Sequence, residues 1–276
     1  MISNFSFIQK VKIHYTISGS GPCIVLLHGF AEDCSIWVNQ IEKLQDHYEV
    51  IAIDLPGFGK SQPINKEHFS LDDIAELIHE FIMQRKLNHF IMIGHSLGGY
   101  VAVSYLKKYP EKLLGLGLFH SHIFNDSSEK IAVRIKSIEF IQKNGTLPFL
   151  HTSIPGLFKN HKNFRKEIIK LIESASTLSE ATLIGYYYAM MNRLDASEMI
   201  QKTNLPILFA IGQYDQTITF KDSFRQLSMP NQAHVFILRS SAHMGMIEEP
   251  EKSSYLLKEF CDTIYKNHQN EFAFIN

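Results

Sequence analysis

The chain has 276 residues, 45% hydrophobic and 20% charged, which is ordinary for a soluble globular protein and suits one main domain with an insertion. A net charge of −1 offers no basic field for nucleic acid and no polybasic membrane signal, so the expected partner is a small, neutral or apolar molecule. Cys23, Cys34 and Cys261 form no C-x-x-C pair, the opening MISNFSFIQKVK lacks the apolar h-region of a signal peptide, and no apolar run approaches the roughly 18 residues of a spanning helix; disulfides, a zinc site and membrane insertion are not expected, and a cytoplasmic location is.

Phe5 to Ile8 and Val11 to Ile17 read as short strands, the second alternating Val11, Ile13 and Tyr15 with Lys12, His14 and Thr16, in a hairpin that ends at Gly19-Ser20-Gly21-Pro22. Cys23 to Leu27 is a continuous apolar run of the kind buried on both faces of a parallel sheet, and it stops at His28-Gly29-Phe30. The spacing of Ile36, Val38, Ile41 and Leu44 predicts a helix over Ser35 to Tyr48, and Val50 to Ile53 is a second buried strand ending at Asp54. The segment Asp54 to Ser61 finishes in Gly-Lys-Ser, but a phosphate loop would need glycine where Asp54 stands, so it reads as a glycine-rich turn. Ser70 and Asp73 resemble a capping box ahead of an apolar helix face made by Ile74, Leu77, Ile78, Phe81 and Ile82.

His89 to Ile93 is an apolar strand, Val101 to Tyr109 has helical spacing, and between them stands Gly94-His95-Ser96-Leu97-Gly98. This fits G-x-S-x-G, a strand-to-helix turn sharp enough to need glycines around the serine. Leu113 to Phe119 is another buried strand. The alternation of strand and helix from Cys23 to Phe119 implies βαβ units and a parallel sheet. From His120 to about Thr203 the rhythm stops. Helical spacing recurs at Ile131 to Lys143, Phe164 to Ser174 and Thr177 to Arg193, around a loop holding Pro148, Pro155 and Gly156, so this stretch is a helical insertion. The sheet resumes at Pro206 to Gly212 and His234 to Leu238, a last helix covers about Pro250 to Tyr265, and Asn267 to Asn276 is expected to fray.

Ligands of an open parallel sheet bind past the carboxyl ends of its strands. There the chain places His28-Gly29-Phe30, Asp54, Ser96, His120 to His122, Asp215 and His243. A serine needs a base to take its proton and the base needs an acid to orient it, and the order Ser96, Asp215, His243 is the one expected for a nucleophile elbow on such a sheet. The backbone N–H groups of Leu97 and Phe30 are positioned to hold an oxyanion, while His28 has two readings, a structural group beneath the loop or a base. Asp126 is the rival acid. His120 and His122 alternate like residues of one strand face but find no third metal ligand, and neither metal nor cofactor is expected. Cys34 could line the pocket. Tyr186 to Met191 makes the insertion aromatic and soft, divided between packing and an apolar substrate wall, with Tyr187 and Met190 chosen as substrate contacts beside Phe30.

With Leu27 to Phe30, Asp54 to Ser61, Gly94 to Gly99, Gly212 to Asp215 and Ala242-His243 in this order, the chain resembles the α/β-hydrolase superfamily, in particular its bacterial members with a helical cap, from about Phe5 to Tyr265. The resemblance implies a mostly parallel eight-stranded sheet flanked by helices, a core of residues 1–120 and 204–276, and a cap of residues 121–203 after the sixth strand. It implies Ser96 as nucleophile, His243 as base, Asp215 as its acid, and Phe30 and Leu97 as oxyanion donors, in a cofactor-free serine hydrolase. The activity expected is cleavage of a small to medium carboxylic ester or lactone with an apolar acyl part through an acyl-enzyme, in a monomer or homodimer. Alternatives are a C–C bond hydrolase, whose dianionic substrate would call on Arg134, Arg165 or Arg193, and a slow-turnover ligand sensor. Epoxide hydrolases and haloalkane dehalogenases carry an aspartate where this chain has Ser96.

Overall fold

A computed structural model describes residues 1–66 and 68–275, with side chains to residue 270. Strand β1 (Ile2–Ile8) turns back into β2 (Val11–Ser18) at Gln9-Lys10, where φ is 48° and 69°; two successive left-handed residues match the twist of a tight hairpin. The chain leaves that hairpin through Gly19 to Pro22 and enters β3 (Cys23–Leu27), whose side chains are all buried. A 3₁₀ turn at Cys34–Trp37 and helix α1 (Val38–Leu44) then lead to β4 (Glu49–Ile53). The helix expected over Ser35 to Tyr48 is therefore broken and shorter, because Asp33 accepts from Ser35 N and starts a tighter turn.

Helix α2 (Leu71–Gln84) begins with the full capping box of Ser70 and Asp73, each side chain bonded to the other's backbone N–H. Strand β5 (Phe90–His95) passes directly into α3 (Leu97–Lys108), and β6 (Leu113–Phe119) follows. The segment after β6 is helical: α4 (Ser128–Asn144), α5 (Thr146–Ser153), a 3₁₀ turn at Ile154–Leu157, α6 (Arg165–Ala175), α7 (Glu180–Met191) and α8 (Ser197–Lys202). Where Pro148 and Pro155 suggested a loop, the chain forms α5 and the 3₁₀ turn. Both prolines stand in a first turn, where a backbone N–H has no carbonyl to reach.

The sheet is completed by β7 (Ile207–Gly212) and, after the short α9 (Phe220–Arg225), by β8 (Ala233–Leu238); the short α10 (Gly245–Glu248) and the long α11 (Pro250–Ile275) close the chain. Helix α11 extends well past Tyr265, so residues 267–275 are helical rather than frayed, and Asn276 lies outside the described residues. The eight strands run β1-β2-β4-β3-β5-β6-β7-β8, with β1 antiparallel to β2, β2 antiparallel to β4, and every other pair parallel. Continuous apolar runs occupy the centre, where α1 packs on β4 and α3 on β3 and β5, with α2 beside α3 and α11 beside α1, whereas β8 at the edge exposes Val235 and Ile237. Among the described residues no helix is long and apolar enough to cross a membrane.

Candidate active site

The parallel strands deliver their last residues to one rim, and backbone strain collects there. Ala31, Ser96 and His120, just past β3, β5 and β6, all have positive φ. Ser96 sits at φ 49°, ψ −111° between β5 and α3, a turn so tight that a Cβ on Gly94 would fall on the Gly98 carbonyl. Ser96 N donates to Phe119 O at 3.0 Å and Ser96 O accepts from Ser121 Oγ at 2.8 Å, so the end of β6 and the loop just past it grip the turn from both sides of the serine. The helix starts at Leu97, four residues before the expected Val101; the Leu97 N–H therefore opens a helix where no carbonyl one turn back can accept it.

His243 lies in the loop between β8 and α10. Its Nδ1 donates to Asp215 Oδ2 at 2.7 Å, while Asp215 Oδ1 takes the N–H groups of Thr217 and Ile218 at 2.8 and 2.9 Å. Burial alone would raise the Asp215 carboxyl, but the imidazoles of His243 and His120 outweigh it and hold the group well below the usual carboxylate range. An ionised Asp215 keeps the proton of His243 on Nδ1, so Nε2 is left as an acceptor. The loop is braced from several sides: His243 N donates to Leu157 O at 2.9 Å, Ala242 N to Glu248 Oε2 at 2.8 Å, and Ser241 Oγ to Glu249 Oε2 at 2.8 Å.

Ser96, His243, Phe30, Tyr187 and Met190 line one cavity of about 150 Å³, with Phe149, Ile154 and Leu157 adding apolar wall. The Phe30 and Tyr187 rings lie 4.6 Å apart across it. Within Tyr186 to Met191, Tyr186 instead packs on Phe58 and Phe69 and donates to Pro56 O at 2.9 Å, and Tyr188 is exposed. Asp215 stands behind His243, and Leu97 is buried behind Ser96.

Several sequence candidates belong to the scaffold. His28 uses both ring nitrogens on backbone, Nδ1 donating to Gly29 O at 2.7 Å and Nε2 accepting from Leu55 N at 2.9 Å, which leaves it unable to act as a base. Asp54 receives His14 Nδ1, Cys34 N and Lys60 N, and so ties β2 to the loops after β3 and β4. Burial opposes its ionisation, yet the His14 hydrogen bond, the field of His28 and the two N–H groups hold it at about 2. Cys34 is buried beside Asp54, its thiol pushed up by desolvation and by that carboxylate, and it does not line the cavity. Asp126 is taken by Arg134 and Arg193, at 2.5 and 2.8 Å. His120 and His122 lie beyond β6 rather than on one of its faces; His120 Nδ1 accepts from Gly212 N at 3.0 Å, and His122 Nδ1 from Phe124 N at 3.1 Å.

Sequence reasoning missed Glu32. Its Oε2 accepts from Gly29 N at 2.6 Å and from His95 Nδ1 at 2.9 Å, and His95 Nε2 donates to His243 O at 2.9 Å. Both His95 nitrogens therefore face acceptors, which requires the imidazolium; burial resists that charge, and Glu32 outweighs it. A buried ion pair thus joins the loop after β3, the serine turn and the His243 loop. No spacing rule connects Glu32 to His95, since they are 63 positions apart and meet only across the sheet edge.

A family model for the alpha/beta hydrolase fold matches residues 22–136. The chain is 24% identical to a pimeloyl-[acyl-carrier protein] methyl ester esterase of Yersinia enterocolitica over 91% of its own length and 97% of the relative's. In solved structures it is similar to a thermophilic esterase from Thermogutta terrifontis in a malate-bound form (TM-score 0.88, 23% identity, 96% of this chain and 99% of the other). It is similar too to the enol-lactonase from Burkholderia xenovorans LB400 (TM-score 0.87, 17% identity, 94% and 100%). With an eight-stranded sheet of this order, a serine at its sharpest turn and a fold model that matches residues 22–136, the chain has the α/β-hydrolase fold.

Proposed function

We propose that this protein is a serine hydrolase that cleaves a small to medium carboxylic ester or lactone with an apolar acyl part. The observation that carries the reading is the His243–Asp215 hydrogen bond of 2.7 Å behind a cavity that His243 and Ser96 line together. In this reading residues 121–203 form a cap whose Phe149, Ile154, Leu157, Tyr187 and Met190 wall the acyl group, and the protein works in the cytoplasm without a cofactor. His243 Nε2 takes the Ser96 Oγ proton as the oxygen attacks the ester carbonyl, and Asp215 stabilises the imidazolium that forms. The Leu97 and Phe30 N–H groups receive the oxyanion, each worth roughly 3 to 4 kcal/mol in the transition state. Collapse of the tetrahedral intermediate expels the alcohol, protonated by His243, and water then releases the acyl group from Ser96 by the same steps.

The test is turnover of chromogenic esters of rising acyl length by the native protein and by Ser96→Ala. The variant should fold normally by circular dichroism and lose on the order of 10⁶-fold in kcat, as a group acting within a unit does. A variant keeping a tenth of the rate would remove Ser96 from the nucleophile's role.

A further inference from the structure

Helix α4 turns an unusual face toward the cavity. Lys130, Val133, Arg134 and Ser137, spaced i, i+3, i+4 and i+7, all line the space that holds Ser96 and His243, so one stripe of an otherwise apolar chamber is cationic. The charges there are not balanced. Asp126 faces two guanidinium groups, those of Arg134 and Arg193, whose side chains are 9% and 7% exposed. Arg134 spends Nε and one N–H of Nη2 on Asp126, which leaves both N–H groups of Nη1 and the second of Nη2, and Lys130 Nζ donates to the carbonyl oxygen of Thr217 at 3.2 Å. Glu32 is matched by the imidazolium of His95, so Lys130, Arg134 and Arg193 face only the carboxylates of Asp126 and Asp215, one negative charge too few.

Burying such an excess of positive charge is costly unless an anion completes it. Desolvation, followed by the field of Arg134, pulls the Lys130 ammonium below its ordinary value, and the carboxylates of Asp126 and Asp215 do not fully offset them. The geometry points to a carboxylate subsite on α4, formed by Lys130 and Arg134, so that the substrate is an ester whose apolar body ends in a second, ionised carboxylate, as in the half-ester of a dicarboxylic acid. This inference rests on the hydrolase reading and narrows its substrate class. The apolar rings of Phe30, Phe149 and Tyr187 would hold the methylene chain, and the two cations its far end.

Two assays separate this subsite from the hydrolase reading itself. The first compares kcat/KM for monomethyl esters of linear diacids, from succinate to suberate, with methyl alkanoates of matching chain length. At least one half-ester should be preferred by about tenfold or more, and the ratio should fall by about that factor in Lys130→Gln. The second measures calorimetric binding of the same pairs to Ser96→Ala protein, where nothing turns over. The half-ester should again bind about tenfold tighter, with the advantage lost in the Ser96→Ala, Lys130→Gln double variant.

Turnover of neutral esters with no preference for the anion in either assay would overturn the subsite and keep the hydrolase. An inert native enzyme that still binds the half-ester selectively would keep the subsite and remove the hydrolase. A monoalkyl phosphate of equal length that binds better than the half-ester would overturn the carboxylate assignment.

Discussion

The serine turn shows how much a single residue's conformation depends on its neighbours. A non-glycine at φ 49°, ψ −111° stores strain of order 1–3 kcal/mol and persists only where surrounding bonds over-determine it, which the Phe119 and Ser121 contacts to Ser96 do. Next to it, His95 fills the variable position of the pentapeptide and would count for nothing in the motif, yet its ring is fully buried against Glu32 and the His243 carbonyl. Removing one member of a buried pair strands the other, so Glu32→Ala should lower unfolding free energy by about 3–5 kcal/mol in urea titrations. A loss under about 1 kcal/mol would mean that His95 is neutral in the folded protein and that the pair is not ionic.

Among elements, helices met their expectations where caps and periodicity agree. The Ser70–Asp73 box starts α2 as its pattern suggests, and because Ser70 is exposed at the surface its value is that of the cap itself. Ser70→Ala should cost about 1 kcal/mol, seen as a lower urea midpoint with an unchanged slope; no change would show that α2 is held by its packed face alone. Periodicity failed where prolines looked like loop signals. Pro148 and Pro155 are tolerated because each falls in a first turn, a placement that depends on where the preceding helix stops: Gly145 at φ 86° ends α4 ahead of Pro148, and α5 ends at Ser153 ahead of Pro155. Helix α7 is apolar nearly all round, so only its neighbours could separate Tyr187 and Met190, which line the cavity, from Tyr186, which packs on Phe58.

At the scale of the molecule, the buried histidines and carboxylates around the sheet rim set a stability that depends on acid in two stages. Burial depresses His120 from 6.5 to about 4 and His122 from 6.5 to about 3, the latter helped by Arg193, so both stay neutral in the fold. The unfolded chain takes up those protons first; their contribution is complete above about pH 6.5 and is lost as pH falls toward 4 and 3, by roughly 3 kcal/mol for His120 and roughly 5 kcal/mol for His122. Asp54, depressed from 3.8 to about 2, adds a second stage: its contribution of about 2 kcal/mol is present above pH 3.8 and disappears as pH falls through 2. Thermal unfolding followed across this range should show a plateau near neutrality and a two-stage decline, with the upper stage reduced in His122→Gln. A stability that stays flat from pH 7 to about 4 would mean that these histidines are solvated rather than buried.

By itself the sequence determined the class of fold and the residues of the rim. Apolar runs at strand length, helical spacing between them and glycines about a serine are local patterns, and the order Ser96, Asp215, His243 follows from which strand each residue terminates. Only the tertiary structure decided which of those rim groups meet. It paired His243 with Asp215 rather than with the rival Asp126, turned His28 and Asp54 into scaffold, and revealed Glu32 beneath the serine turn. It also set the cationic stripe of α4 against an apolar chamber, because contacts between side chains far apart in the chain are fixed by how the strands and helices pack, and no period along the chain encodes them.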